Sequence, residues 1–188
     1  MTRIIAGTAR GRRIGTPRGV STRPTSDRVR EALFSLIESW CGTLSGLRFL
    51  DLYAGCGAIG LEAWSRGAGV VEFVESDRRT SALIRSNATL LGFGSPKITA
   101  SPTATVLAST PLAPFDIVFS DPPYPLAADL VDADLANLAA HDWVVPGGLV
   151  VVERSTRSTA VRWPEGFTDQ RAKRYGETTL HIAHGPDH

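Results

Sequence analysis

The stretch FLDLYAGCGAIGLEA (49–63) constrains the fold of this chain more than any other. An apolar run leads into Gly55, Gly57 and Gly60, spaced G-x-G-x-x-G, and a helix-forming segment follows. That order demands a strand, a tight turn and a helix, the opening half of a βαβ unit. Glu75 stands 20 residues after Gly55, at the end of the next apolar run. At that spacing an acid takes ribose hydroxyls in nucleoside-binding folds. The plainer alternative is a glycine turn kept only for close strand–helix packing.

The rest of the chain continues the alternation. Strands are expected over LRFLDL (47–52), VVEFVE (70–75), KITA (97–100), FDIVFS (115–120) and GLVVVE (148–153). Helical stretches near 58–66, 78–91, 102–109 and 127–140 lie between them. Such alternation gives an α/β fold, a doubly wound parallel sheet covered on both faces. After Glu153 the pattern changes, and QRAKRYGETTLHIAH reads as an antiparallel hairpin turning at Tyr175 and Gly176. Upstream, Thr25, Ser26 and Asp27 offer N-caps to an amphipathic helix over 27–40. Ligands of such sheets bind at the carboxyl ends of the strands, where the strand order reverses.

Asp51 narrows the choice of nucleoside cofactor. In a dinucleotide site the strand runs almost directly into the first glycine, so that a pyrophosphate reaches the helix N-terminus. Here Asp51 to Ala54 intervene and begin with a carboxylate, which repels a pyrophosphate and suits a cation. S-adenosylmethionine carries two, an ammonium and a sulfonium. Asp51, Tyr53, Gly55, Gly57 and Glu75 are therefore the candidate cofactor residues.

The fourth strand ends abruptly in Asp121-Pro122-Pro123-Tyr124. Two prolines terminate a strand and stiffen the loop, fixing Asp121 and Tyr124 at a set separation. With S-adenosylmethionine nearby this has a chemical reason. The exocyclic amine of a nucleobase is a poor nucleophile because its lone pair is delocalised into the ring. Ionised Asp121 accepts one amine N–H and the Pro122 carbonyl the other, turning the lone pair towards the sulfonium methyl. Tyr124 offers a face for base stacking, worth about 1–3 kcal/mol. Packing of a Pro-rich turn and its Tyr on the body is the alternative.

Charge is distributed unevenly. Residues 1–30 hold eight arginines against one acid, a charge of +7, so the other 158 residues carry −6 within a net charge of +1. Residues 1–24 read as a basic arm, a β-hairpin for RNA, with Arg3, Arg10, Arg12, Arg13, Arg18 and Arg23 as its phosphate contacts; residues 25–188 read as the catalytic domain. A solubilising tail is the competing reading. Arg23, Thr25 and Arg28 stand near the start of the first helix, where they either line a cofactor mouth or serve as a helix cap and surface charges. Two cysteines exclude a disulfide framework, and the four scattered histidines give no metal signature. Without a secretory or membrane-spanning segment, the chain is expected in the cytoplasm. Glu153, at the end of the fifth strand, fits a structural ion pair as well as a chemical role.

DLYAGCGAIGLEA, FVESD and DPPY together resemble the bacterial 16S rRNA guanine-N2 methyltransferases of the RsmD type. RIIAGTARGRRI and RPTSDRVREALFSLI are similar to the arm and first helix of that family, so the resemblance covers nearly the whole chain. It implies a Rossmann-like seven-stranded methyltransferase sheet, S-adenosylmethionine as cofactor, and a guanine exocyclic amine in 16S rRNA, within the small subunit or an assembly intermediate, as target. It assigns Asp51, Gly55, Gly57 and Glu75 to the cofactor and Asp121 to Tyr124 to the base. One departure stands out. Such enzymes place Asp or Asn against the adenine amine after the third strand; here the stretch is ASPTATVL, and either Thr103 or backbone groups stand in. Methyltransferases acting on adenine N6 or cytosine N4 in DNA, or on a glutamine amide, are the nearest rivals. A nicotinamide oxidoreductase lacks an evident proton donor. A pure nucleic-acid-binding protein would have no use for an intact glycine loop.

Overall fold

The structure is a computed structural model, and it describes residues 1–17 and 25–187. Two short strands, β1 (Thr2–Arg3) and β2 (Arg13–Ile14), form an antiparallel hairpin. Then follow α1 (Asp27–Cys41), β3 (Arg48–Leu52), α2 (Ala58–Ser65), β4 (Val70–Val74), α3 (Arg78–Leu91) and β5 (Lys97–Thr99). The second half comprises α4 (Thr103–Leu107), β6 (Phe115–Ser120), α5 (Ala128–Ala140), β7 (Val144–Ser155), β8 (Thr168–Tyr175) and β9 (Thr178–His184). Strands β3 to β9 make one sheet of seven in the order β5-β4-β3-β6-β7-β9-β8. The first five are parallel, and β9 pairs antiparallel with both β7 and β8. The order reverses between β3 and β6, which puts the crevice beyond Leu52 and Ser120.

Local signals set the helix ends. Ser26 accepts a hydrogen bond from Val29 N–H and caps α1, while Asp77 accepts from Thr80 N–H at 2.7 Å and caps α3. Strand β7 starts four residues earlier than GLVVVE predicts, because Val144 already pairs with Phe115 ahead of an irregularity in the ladder. Helix α4 is shorter than its sequence stretch, at five residues.

The sheet buries both faces, as continuous apolar strands require. Phe49, Phe73, Ile117, Phe119 and Val151 pack on the side of α1, α2 and α3; Leu50, Val74, Val118, Val150 and Val152 pack towards α4 and α5. The first of these cores also contains Ile4 and Ile14 from the N-terminal hairpin, each fully buried. Burying two isoleucines stabilises the docked hairpin by about 3–6 kcal/mol. The fully buried Glu62 carboxylate adds direction, accepting from Ile5 N–H at 2.8 Å, Ala6 N–H at 2.9 Å and Arg66 Nε at 2.9 Å. Buried Arg30 on α1 reaches Thr2 Oγ1, the Arg3 carbonyl and Asp27. The hairpin is thus clamped to α1 and α2 rather than extended into solvent.

Candidate active site

The glycine loop joins β3 to α2, and its three glycines answer to three different pressures. Gly55 has φ +56°, and a side chain there would enter open space, so this face of the loop is free for a ligand. Gly57 has φ +82° and N-caps α2 from the left-handed region, with Ile84 at 3.0 Å from any added Cβ. A Cβ on Gly60 would lie 2.3 Å from Phe73 Cε1, so this position packs helix on strand. Neighbouring Tyr53 also adopts a positive φ, +56°, which a non-glycine residue holds at a cost of about 1–3 kcal/mol.

Glu75 reaches the loop. Its Oε2 accepts from Gly55 N–H and its Oε1 from Asp77 N–H, both at 2.9 Å. Each oxygen retains a lone pair for a hydroxyl. Asp51 lies beneath the loop: it is 1% exposed, and its Oδ2 accepts from Gly60 N–H at 2.9 Å. Burial pushes its carboxyl well above the usual range, with the Gly60 bond opposing and the Glu75 charge adding to the shift. Tyr53 and Thr103 turn to one another. The Tyr53 hydroxyl donates to Asp134 Oδ2 on α5 at 2.5 Å and lies within hydrogen-bond reach of the buried Thr103 side chain.

The base end lies across the switch point. Asp121 leaves β6 half-buried, its carboxyl pushed well above the usual range by burial, by Glu153 and by Asp51. Pro122 is buried and Pro123 exposed. Leu126 N–H donates to the Pro123 carbonyl at 2.9 Å, so of the two proline carbonyls only that of Pro122 lacks a partner among the described residues. Tyr124 is 69% exposed, a large aromatic face open to solvent beside the crevice. The proline pair therefore separates a carboxylate and a carbonyl from an open ring, as the stiff loop predicts.

Several residues here carried no clear signal in the sequence. Asn87 on α3, 3% exposed, donates to the carbonyls of Cys56 (3.0 Å) and Gly15 (3.0 Å) and accepts from Gly15 N–H (2.8 Å). It ties the N-terminal hairpin to the glycine loop. Ser65 does the same for residues 6 to 9 by accepting from Ala9 N–H and donating to the Ala6 carbonyl. A buried Asn or Ser within a helix can be read only when its partners are known.

The six arginines assigned to RNA separate in space. Arg12 donates to the carbonyls of Leu90 and Leu91, the C-terminal end of α3, where a cation also complements the helix dipole. Arg3 lies 3.4 Å from Asp27. Arg10 and Arg13 are exposed, with no side-chain partner among the described residues. Arg18 and Arg23 lie outside the described residues. Among the described residues no helix is long and apolar enough to cross a membrane.

Comparison with known proteins agrees with this geometry. The model of the Conserved hypothetical protein 95 family matches residues 2–184. The chain is 32% identical over 180 residues to ribosomal RNA small subunit methyltransferase D of Escherichia coli, covering 96% of this chain and 88% of that protein. The solved structure of the putative methyltransferase YhhF of Escherichia coli superposes with a TM-score of 0.85 at 32% identity, over 100% of this chain and 99% of the other. At 15% identity and a TM-score of 0.63, over 91% and 86% of the two chains, the fold is also that of magnesium protoporphyrin IX methyltransferase from Synechocystis, solved with bound SAM.

Proposed function

The chain belongs to the Conserved hypothetical protein 95 family, the family of ribosomal RNA small subunit methyltransferase D, and on that premise we propose that it methylates the exocyclic N2 amine of a guanine in 16S rRNA. S-adenosylmethionine supplies the methyl group, carried on a sulfonium that makes it electrophilic. The observation that carries this reading is Asp121, held at the carboxyl end of β6 next to the strand that feeds the glycine loop. Asp121 accepts one N2–H and the Pro122 carbonyl the other, so the amine lone pair projects out of the base plane. Tyr124 stacks on the base, and the prolines fix this geometry before substrate arrives, so most of the gain is positional. Glu75 holds the ribose hydroxyls of the cofactor. Gly55 leaves room for its methionine portion and Gly57 makes the left-handed turn into α2, while Asp51 lends negative charge from below.

The direct test supplies labelled S-adenosylmethionine to small ribosomal subunits from cells lacking this enzyme, then identifies the labelled nucleoside. Label in N2-methylguanosine is the expected result. Label in another nucleoside, or none despite cofactor binding, overturns the substrate assignment and leaves the cofactor site standing.

Cofactor binding should release protons. Asp51 and Asp121 titrate well above the carboxylate range, and burial raises Glu153 to about 7. A bound cation favours the ionised forms and lowers these values, so the complex holds fewer protons than the free protein. By linkage, affinity rises as the pH climbs through neutrality. Calorimetry in buffers of different ionisation enthalpy at pH ~7 should record release of up to about one proton. Proton uptake would contradict the placement of these carboxylates beside a cation.

RNA binding should divide the arginines. Removing Arg10 and Arg13 together should reduce the log–log salt slope by about 1.5, the value for two phosphate contacts on a single strand. Arg12→Ala should leave that slope unchanged and lower the melting temperature, since this guanidinium caps α3. An unchanged slope in the double variant would leave the hairpin with a structural role only.

A further inference from the structure

The guanine reading leaves open why this site should prefer guanine over adenine or cytosine, whose amines are equally planar. A residue the reaction has not yet used bears on this. Strands β6 and β7 are parallel, with Ser120 beside Val152, so Asp121 and Glu153 leave the two strands side by side. Phe119 and Val151, two residues back on each strand, both point into the α1-side core, and alternation sends Asp121 and Glu153 to that same side. A contact confirms the direction: Thr25, at the entrance to α1, donates its hydroxyl to Glu153 Oε2 at 3.0 Å.

Glu153 is nine-tenths buried, and Thr25 accounts for only one of its two oxygens. Among the described residues Oε1 of Glu153 has no hydrogen-bond donor, and the register of β6 and β7 sets it at the carboxyl end of the sheet beside Asp121. Among the described residues no cation forms an ion pair with either carboxylate, and the Arg154 charge offsets the rise at Asp121 only in part. Arg154, the nearest along the chain, lies on the opposite side of the strand and donates to the Leu126 carbonyl. Two adjacent acceptors that repel each other call for two adjacent donors between them. Burial raises both carboxyls, and the Glu153 charge adds to the rise at Asp121.

Guanine presents two adjacent donors, N1–H and N2–H. Adenine places a lone pair at N1 beside its amine, and cytosine places one at N3. Either would set a lone pair against a carboxylate. We propose that Glu153 accepts the N1–H of the target guanine beside Asp121, and that this pair of carboxylates is what selects guanine. The inference rests on the guanine-N2 reading above. It gives Thr25 a role as well: by fixing Oε2 it aims Oε1 at the base, and it couples the start of α1 to the active site.

The test uses small subunits reconstituted with 16S rRNA carrying either guanine or 2-aminopurine at the methylated position. 2-Aminopurine keeps the N2 amine but has a lone pair at N1. The wild-type protein should prefer guanine by about 100-fold or more in kcat/KM, since a site built for an N–H rejects the analogue lacking it. Glu153→Gln offers an amide N–H to N1, so it should lose on guanine, gain on 2-aminopurine and collapse or invert that ratio. A merely structural glutamate would lower both rates together. Equal wild-type rates on the two bases, or an unchanged ratio in Glu153→Gln, overturn the proposal. The wild-type comparison needs no variant to fold. Failure of the wild-type protein to methylate guanine at all, with cofactor bound, would instead overturn the reading beneath it.

Discussion

Asp121→Ala should lower turnover on guanine by about 100- to 1000-fold and change cofactor affinity by less than about threefold. The size follows from what the carboxylate does. Without an acceptor for its N–H, the amine keeps its lone pair conjugated with the ring and samples the attacking orientation only rarely. Orientation and charge at a reacting centre are each worth factors of this order. The small binding effect follows from position. Asp121 leaves β6, whereas Glu75, Gly55 and Gly57 hold the other side of the switch point. Asp121→Asn, which keeps one acceptor oxygen but loses the charge, should fall between wild type and alanine. Single-turnover methyl transfer, measured beside a cofactor titration, separates the two effects. Full turnover in Asp121→Ala would remove this residue from the mechanism.

Gly60→Ala should destabilise the protein and weaken its cofactor site, although alanine is the better helix former. Gly60 lies inside α2, where replacing glycine ordinarily gains about 1 kcal/mol. Against this, the new methyl would lie 2.3 Å from Phe73 Cε1 and 2.9 Å from Cζ, and Phe73 is fully buried on β4. An enclosed ring cannot swing aside, so α2 must lift. Overpacking of this kind costs about 1–3 kcal/mol, and a contact this short belongs at the upper end. The net loss is about 1–2 kcal/mol, or about 2–8 °C in melting temperature for a chain of this size. Lifting α2 also stretches the bond from Gly60 N–H to Asp51 and shifts the loop at Gly55, so cofactor affinity should drop about tenfold. A variant that melts above wild type would mean that helix and strand have slack between them.

These two residues also mark how much of the molecule was legible in its sequence. Gly60 was readable as the third member of a spaced triplet, because strand-to-helix packing at that turn leaves room for nothing larger. Asp121 was readable because two prolines after an apolar run stop a strand and fix what precedes them. The doubly wound parallel sheet with its closing antiparallel hairpin followed from alternating periodicities, and the structure has both in one sheet of seven strands. Other residues were visible as types but not in their roles. Asp51 reads as a carboxylate that meets a cationic ligand directly, yet it is buried beneath Gly60. Arg12 reads as one phosphate contact among six, yet its guanidinium closes α3.

The sequence by itself determined the sheet, the glycine turn and the carboxylate at the end of β6, because periodicity, φ freedom and proline geometry act between residues close along the chain. Only the tertiary structure decided that Glu153 stands beside Asp121 with Thr25 bonded to it across 128 positions, and that Asn87 joins the hairpin to the cofactor loop across 72. Those pairings depend on strand register and helix docking, in which each side chain's partner is chosen by the packing of the whole sheet.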